Sequence, residues 1–416
     1  MADNTAFPGM RSILRNGLFL SGVNWAEALL RAAYVLVIAR VLGPTEYGVW
    51  SFVLATYMVA VMATALGMEI IITGRLGRDR ENAAPLLETS LALRLLLLAV
   101  AAIVLAMMAV AFGEQPQVAI GLALSLIAVF GRGLVMWSRP VFVGLERSDL
   151  ALRIALAFRL AEVGLGLLLL FFTRNILLLI ALHGLSWIAE GVISFLRARS
   201  LAGFSMPRFQ PGETRLLIMR GLPIGVATLG IAALNAAPVL LASQQGAALA
   251  ELAQLGIVTQ FATLAVMAMQ GFLGAAQPVV SRAIAREDAR LPRYSAGVAL
   301  ISVVGFAMLA LLAYFLGNLV IVGLLGTEYQ KAASLLPWAF LIGGLNLLPT
   351  GFWQEQALRN RAGPGVLAAI LGVAATVMLV APLYAARGLE GVLIAVAAGW
   401  AVRAVVLIAA ALQKPT

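Results

Sequence analysis

About twelve stretches of roughly twenty apolar residues follow one another along this chain, each long enough to cross the ~30 Å hydrocarbon core of a bilayer as a helix. Such a chain has lipid as its solvent. The spans lie near 17–41, 47–68, 87–112, 118–138, 152–172 and 176–196, and then near 218–242, 252–276, 295–316, 332–352, 365–384 and 388–411. With 62% hydrophobic residues, 12% charged and a mean hydropathy of +0.99, the composition is far from that of a soluble domain.

The two sets of six repeat each other. Leu30 to Leu36 lies over Leu234 to Leu240, Arg75 to Asp79 lies loosely over Arg282 to Asp288, and Trp187 to Val192 lies over Trp400 to Val405. The matches keep one order, and their offset drifts only as loop insertions would allow. The expectation is an all-α polytopic membrane protein of about 12 transmembrane helices in two six-helix lobes related by an internal repeat. Residues 1–200 form the first lobe, 201–217 a linker with Pro207 and Pro211, and 218–416 the second lobe.

Charge sets orientation, because Lys and Arg collect on the cytoplasmic side. Twenty of the 29 basic residues, Arg11, Arg75, Arg139, Arg208 and Lys414 among them, fall on the side of the N-terminus. The other side has Arg40, Arg174, Lys331 and Arg387. Both termini are therefore expected in the cytoplasm, in a multi-pass protein of the cytoplasmic (inner) membrane. The net charge of +10 is mostly this topology signal plus attraction to anionic lipid. Basic residues spread over many short loops do not form a nucleic-acid surface. The absence of cysteine excludes disulfide and thiol chemistry, and the polar start of the chain lacks a signal-peptide pattern.

Ionisable residues inside a membrane are costly, so each is a candidate functional group. On the first helix Asn24, Glu27, Arg31, Tyr34 and Ile38 share one face at three- and four-residue spacing. Glu27 and Arg31 are spaced for an ion pair, and Arg31 near mid-membrane suits a bidentate grip on phosphate; a purely structural pair is the plainer reading. Arg159 and Glu162 are three residues apart on helix five. His183, Trp187 and Glu190 line one face of helix six, and Trp400 and Arg403 the matching face of helix twelve. Arg132 lies in helix four, and Arg94 is near enough to the end of helix three to snorkel to the interface.

The candidate substrate-binding set is thus Arg31, Arg159, Arg403, Arg132, Asn24, Tyr34, Trp187 and Trp400, with Glu27, Glu190 and Glu162 for proton or sodium coupling. His183, the one histidine, reads as a packed or interfacial imidazole near the outer end of its helix. With no second His or Cys there is no metal site, and no cofactor is expected. Pro238, following Asn235, is expected to break or kink helix seven. Gln270 and Asn346 offer amides to sugar hydroxyls or to neighbouring helices, and Trp137 reads as an interfacial anchor.

The segment Arg40-Val41-Leu42-Gly43-Pro44-Thr45-Glu46-Tyr47-Gly48 resembles the turn between helices one and two of oligosaccharide flippases, the polysaccharide-transport family of the multidrug/oligosaccharidyl-lipid/polysaccharide exporter superfamily. Arg220-Gly221-Leu222-Pro223 is similar to the start of that family's second lobe. Leu324-Leu325-Gly326-Thr327-Glu328-Tyr329, with Ala332, is similar to its step before helix ten. The resemblance implies a V-shaped pair of six-helix bundles that moves a polyprenyl-diphosphate-linked oligosaccharide between leaflets by alternating access. Many relatives have fourteen helices where this chain has twelve, and many are charged where it has Asn235 and Pro238.

A flippase for lipid-linked oligosaccharide, serving cell-surface polysaccharide export, is the first functional expectation. Interior Arg31, Arg94, Arg132, Arg159 and Arg403 outnumber Glu27, Glu162 and Glu190, and a cationic cavity suits a diphosphate. Membrane lipid and polysaccharide-assembly proteins are its expected partners. The alternative is a cation-coupled multidrug exporter of the same superfamily using Glu27; the adjacent Arg31 opposes this by holding the carboxylate ionised. A polyprenyl-linked glycosyltransferase or polymerase fits least, since the outer loops are short and no acid/base set is clustered. The chain is therefore not expected to be an enzyme.

Overall fold

In the computed structural model, residues 10–285, 291–358 and 361–413 are described, with side chains described within 29–270, 293–356 and 361–413. The elements are α1 (Met10–Ala63), α2 (Met68–Arg78), α3 (Ala84–Ala111), α4 (Pro116–Gly144), α5 (Ser148–Thr173), α6 (Ile176–Ala202), α7 (Pro211–Leu216), α8 (Leu222–Gln244), α9 (Leu249–Ala285), α10 (Leu291–Leu325), α11 (Gln330–Leu347), α12 (Thr350–Leu358), α13 (Gly363–Arg387) and α14 (Leu389–Leu412). A π-helical turn, Leu217–Gly221, joins α7 to α8. Eleven described helical stretches are long and apolar enough to cross a membrane.

The first of these stretches, Leu29–Ala63, is a hairpin that supplies two spans. Gly43 leaves helical geometry at φ 79°, a conformation glycine adopts without a Cβ penalty, and Pro44 starts the second arm where no amide donor is needed. Arg31 and Trp50 lie on opposite sides of this break yet line one small cavity, so the arms must fold back on each other. The repeat of six spans per lobe follows. Turns between later spans use the same chemistry: Asn175 accepts from the amides of Leu177 and Leu178 to cap α6, and Gly203 ends it in the left-handed region.

Within each lobe, glycine lets helix backbones meet. A Cβ on Gly191 of α6 would collide with the carbonyl oxygen of Gly131 on α4, and Gly372 of α13 meets Gly399 of α14 in the same way. Between lobes, on the side away from the 203–216 linker, Gly48 is pressed against the Leu249 backbone and Gly256 against Ser51. There the Tyr329 hydroxyl donates to the Ala39 carbonyl at 3.0 Å. This seal closes the far side. On the linker side Arg75 pairs with Glu213 at 3.3 Å, Thr89 donates to the Arg208 carbonyl at 3.1 Å, and the Ser205 amide donates to Glu88 at 3.0 Å. The linker is thereby clasped to the first lobe.

Three expectations are corrected. Arg94 does not snorkel: it is 2% exposed, with Nε donating to the Gly133 carbonyl at 3.2 Å and Nη1 to the Thr64 hydroxyl at 3.1 Å. Trp137 is core, its indole donating to Ser90 at 2.9 Å. α8 continues helically through Pro238 instead of breaking there.

Candidate functional site

Polar side chains of the first lobe's spans, from α1, α4, α5 and α6, together with Trp187, form one connected network. From α5, Arg159 pairs with Glu162 one turn away and reaches Glu190 of α6 at 2.9 Å and the Ser186 hydroxyl at 3.2 Å. Glu162 Oε1 lies 2.6 Å from His183 Nδ1. His183 Nε2 lies 2.8 Å from the Tyr57 hydroxyl and 3.0 Å from the Trp187 indole nitrogen. Arg132 of α4 donates to the same Tyr57 hydroxyl at 3.1 Å, and Arg139 reaches the other oxygen of Glu190 at 3.4 Å.

An indole N–H is only a donor, so His183 Nε2 accepts and the ring proton sits on Nδ1, donated to Glu162. His183 is then neutral and Glu162 ionised. Trp187 carries two cations on its ring, with the guanidinium carbon of Arg159 4.1 Å and that of Arg132 4.6 Å from its centroid.

α1 brings Arg31 and Tyr34 to this network. Both line a small cavity with Trp50, Arg159, Glu162 and His183. Arg159 is shared by two carboxylates, whereas no ion pair to a described carboxylate engages Arg31. Among the described side chains, the cations Arg31, Arg132, Arg139 and Arg159 outnumber the carboxylates that face them, Glu162, Glu190 and, toward Arg139, Glu69. Such a group attracts an anion and repels a lipophilic cation.

The structure therefore brings together Arg31, Tyr34, Arg132, Arg159, Glu162, Trp187 and Glu190 of the sequence candidates. Asn24 and Glu27 lie outside the residues with described side chains. Arg403 and Trp400 are in the second lobe, both buried on α14, with the guanidinium carbon 5.2 Å from the Trp400 ring. Arg403 Nη1 and Trp400 Nε1 have no hydrogen-bond partner among the described residues. In the repeat Arg403 takes the place of Glu190, and Gly372 is at the same offset from Arg159; a Cβ added to Gly372 would stand 3.4 Å from the Arg403 Cβ. Among the described residues no carboxylate forms an ion pair with Arg403.

Tyr57, Ser186 and Arg139 are the members that sequence reasoning missed. Of the two readings of His183, packed or interfacial, the structure has the packed one: it is 4% exposed and joins α1, α5 and α6. Its signal was the His183, Trp187, Glu190 spacing on one helix face. Tyr57, in an apolar run, gave none.

A family model described as polysaccharide biosynthesis protein matches residues 13–284. The chain belongs to this family. It falls within the multidrug/oligosaccharidyl-lipid/polysaccharide exporter superfamily, as the turn at Arg40 to Gly48 implied. No curated protein sequence matches. Among solved structures, the eukaryotic MATE transporter AtDTX14 superposes with a TM-score of 0.73 at 15% identity, over 98% of this chain and 97% of that one. The Vibrio cholerae MATE transporter VcmN in its bent form gives 0.62 at 14%, over 96% of each chain. A superfamily transporter from Pyrococcus furiosus, whose title notes a binding pocket of reverse polarity, gives 0.62 at 14%, over 96% and 95%. These likenesses show the fold: this member of the polysaccharide biosynthesis family is a multi-pass membrane protein with the two-lobed MATE-like architecture.

Proposed function

We propose that this protein is a flippase that carries a polyprenyl-diphosphate-linked oligosaccharide across the cytoplasmic membrane by alternating access, for cell-surface polysaccharide export. The observation that carries the proposal is the excess of cations among the described side chains of the first-lobe site: Arg31, with Arg132 and Arg159 behind it, against Glu162 and Glu190. A diphosphate supplies the missing negative charge and the acceptor oxygens that guanidinium groups bind in pairs. Tyr34 and Trp187 shape the wall beside it, Arg403 offers a cation in the second lobe, and the sugars occupy the aqueous cleft between lobes. The family description, polysaccharide biosynthesis, agrees with this cargo.

In this reading the linker side is cytoplasmic, which the distribution of Arg and Lys supports, and the seal at Gly48 and Leu249 is the outer gate. Coupling to a proton or sodium gradient runs through Glu27, Glu162 or Glu190, and polysaccharide-assembly proteins receive the cargo. A cation-coupled multidrug exporter is the second reading, favoured by the MATE architecture. Proteoliposome transport separates the two. A fluorescent polyprenyl-diphosphate oligosaccharide is expected to cross while a lipophilic dye cation is not; movement of the dye alone reverses the assignment.

A further inference from the structure

α7, the π turn and α8 form one helical stretch, Pro211–Gln244, of 34 residues. At 1.5 Å per residue it reaches about 51 Å, whereas the hydrocarbon core needs about 20 residues. With Gln244 at the far boundary, its first ten or so residues stand in the headgroup layer on the linker side. Apolar and basic residues alternate there. Phe209 is 53% exposed and Met219 68%, with Ile218 and Met206 also exposed, while Arg208, Arg215 and Arg220 lie among them.

Phe209, Pro211, Thr214, Arg215, Ile218 and Met219 line an open groove of about 420 Å³. Its walls are apolar and its one charge is Arg215. The nearest carboxylate along the chain, Glu213, is engaged by Arg75. The Thr214 hydroxyl is buried with no hydrogen-bond partner among the described residues, and the second χ1 well open to a helical threonine changes the direction in which it donates.

We propose that this groove holds an anionic phospholipid of the leaflet on the linker side. The phosphate sits on Arg215 with the Thr214 hydroxyl as second donor, and the upper acyl chain lies against Phe209, Ile218 and Met219. Charge complementarity selects the ligand, since a basic surface at the membrane boundary attracts anionic headgroups, and the apolar walls select a lipid over a free anion. The groove is far from the Arg31 network and is independent of the cargo.

Native mass spectrometry of the full-length protein, with phosphatidylglycerol or phosphatidylethanolamine added at matched concentration, tests this. Wild type is expected to retain phosphatidylglycerol preferentially. Arg215→Gln should weaken that retention roughly fivefold, and Met219→Asp, at an exposed position, should lower it without affecting folding. Arg387→Gln, which removes the same charge on the opposite side, should leave it unchanged. Equal retention of the two lipids, wild-type retention in Arg215→Gln, or displacement of phosphatidylglycerol by millimolar inorganic phosphate would each overturn the proposal.

Discussion

His183 Nδ1 stands 2.6 Å from Glu162, and through this contact the first lobe ties α5 to α6 with a neutral imidazole that also receives Trp187 and Tyr57 of α1. Glu162 is held from two sides, since Arg159 binds its other oxygen. Its negative charge is therefore part of the lobe's packing as well as of the site.

Glu162→Gln should cost about 2 kcal/mol of stability, because an amide cannot accept from both His183 and Arg159 and leaves one buried donor unpaired. Arg159 keeps Glu190, which limits the loss. The check is the thermal midpoint of the purified protein in detergent. An unchanged midpoint would mean that the network does not hold the helices.

Arg31 is different, since it lines the cavity without an ion pair to a described carboxylate. Arg31→Ala is expected to change stability by less than about 0.5 kcal/mol while lowering glycan-lipid transport at least roughly tenfold. Arg31→Lys should restore only part of it, because an ammonium cannot bind two phosphate oxygens in a fork. Wild-type transport rates for both variants would remove Arg31 from the mechanism.

The spans were legible because lipid forces every backbone polar group into a helix, and that demand is written in composition over twenty-residue windows. The shared face of Arg31 and Tyr34, and the Arg159 and Glu162 pair, were legible because three- and four-residue spacing fixes direction on one helix. What lies opposite a face is not encoded in spacing. Arg94 looked free to snorkel because only its distance from the helix end was visible, whereas the Gly133 carbonyl that captures it comes from α4. Trp137 looked interfacial for the same reason, and Ser90 of α3 holds it. The helix passes through Pro238 intact because membrane helices accommodate proline by local adjustment of their partners.

Gly48 sets the far-side seal. Any Cβ there meets the Leu249 carbonyl of α9, which as backbone cannot rotate away. Gly48→Leu should hold the lobes apart on that side and favour the state open there. Because the chain has no cysteine, Ser51→Cys can report the opening: Ser51 is 7% exposed beneath the seal. Its maleimide labelling from the far side should be slow in the otherwise native background and rise several-fold when Gly48→Leu is added. Equal labelling in both would show that the seal does not depend on this contact.

Arg403 tests whether an unpaired cation is kept for function. The residue is 5% exposed, and among the described residues Nη1 has no hydrogen-bond partner and no carboxylate pairs with it, where the repeat-related position in the first lobe has Glu190 with two arginines. Burying an uncompensated charge is unfavourable, and replacing it with an apolar side chain of similar length should relieve that cost. Arg403→Met is therefore expected to raise stability by about 1 kcal/mol, measured as a higher thermal midpoint. If the cation serves the anionic cargo, the same variant should transport it several-fold more slowly, the trade expected when a strained group is retained for activity. Higher stability with unchanged transport would leave Arg31 and its neighbours as the whole of the anion grip, and lower stability would mean that Arg403 is paired within the second lobe after all.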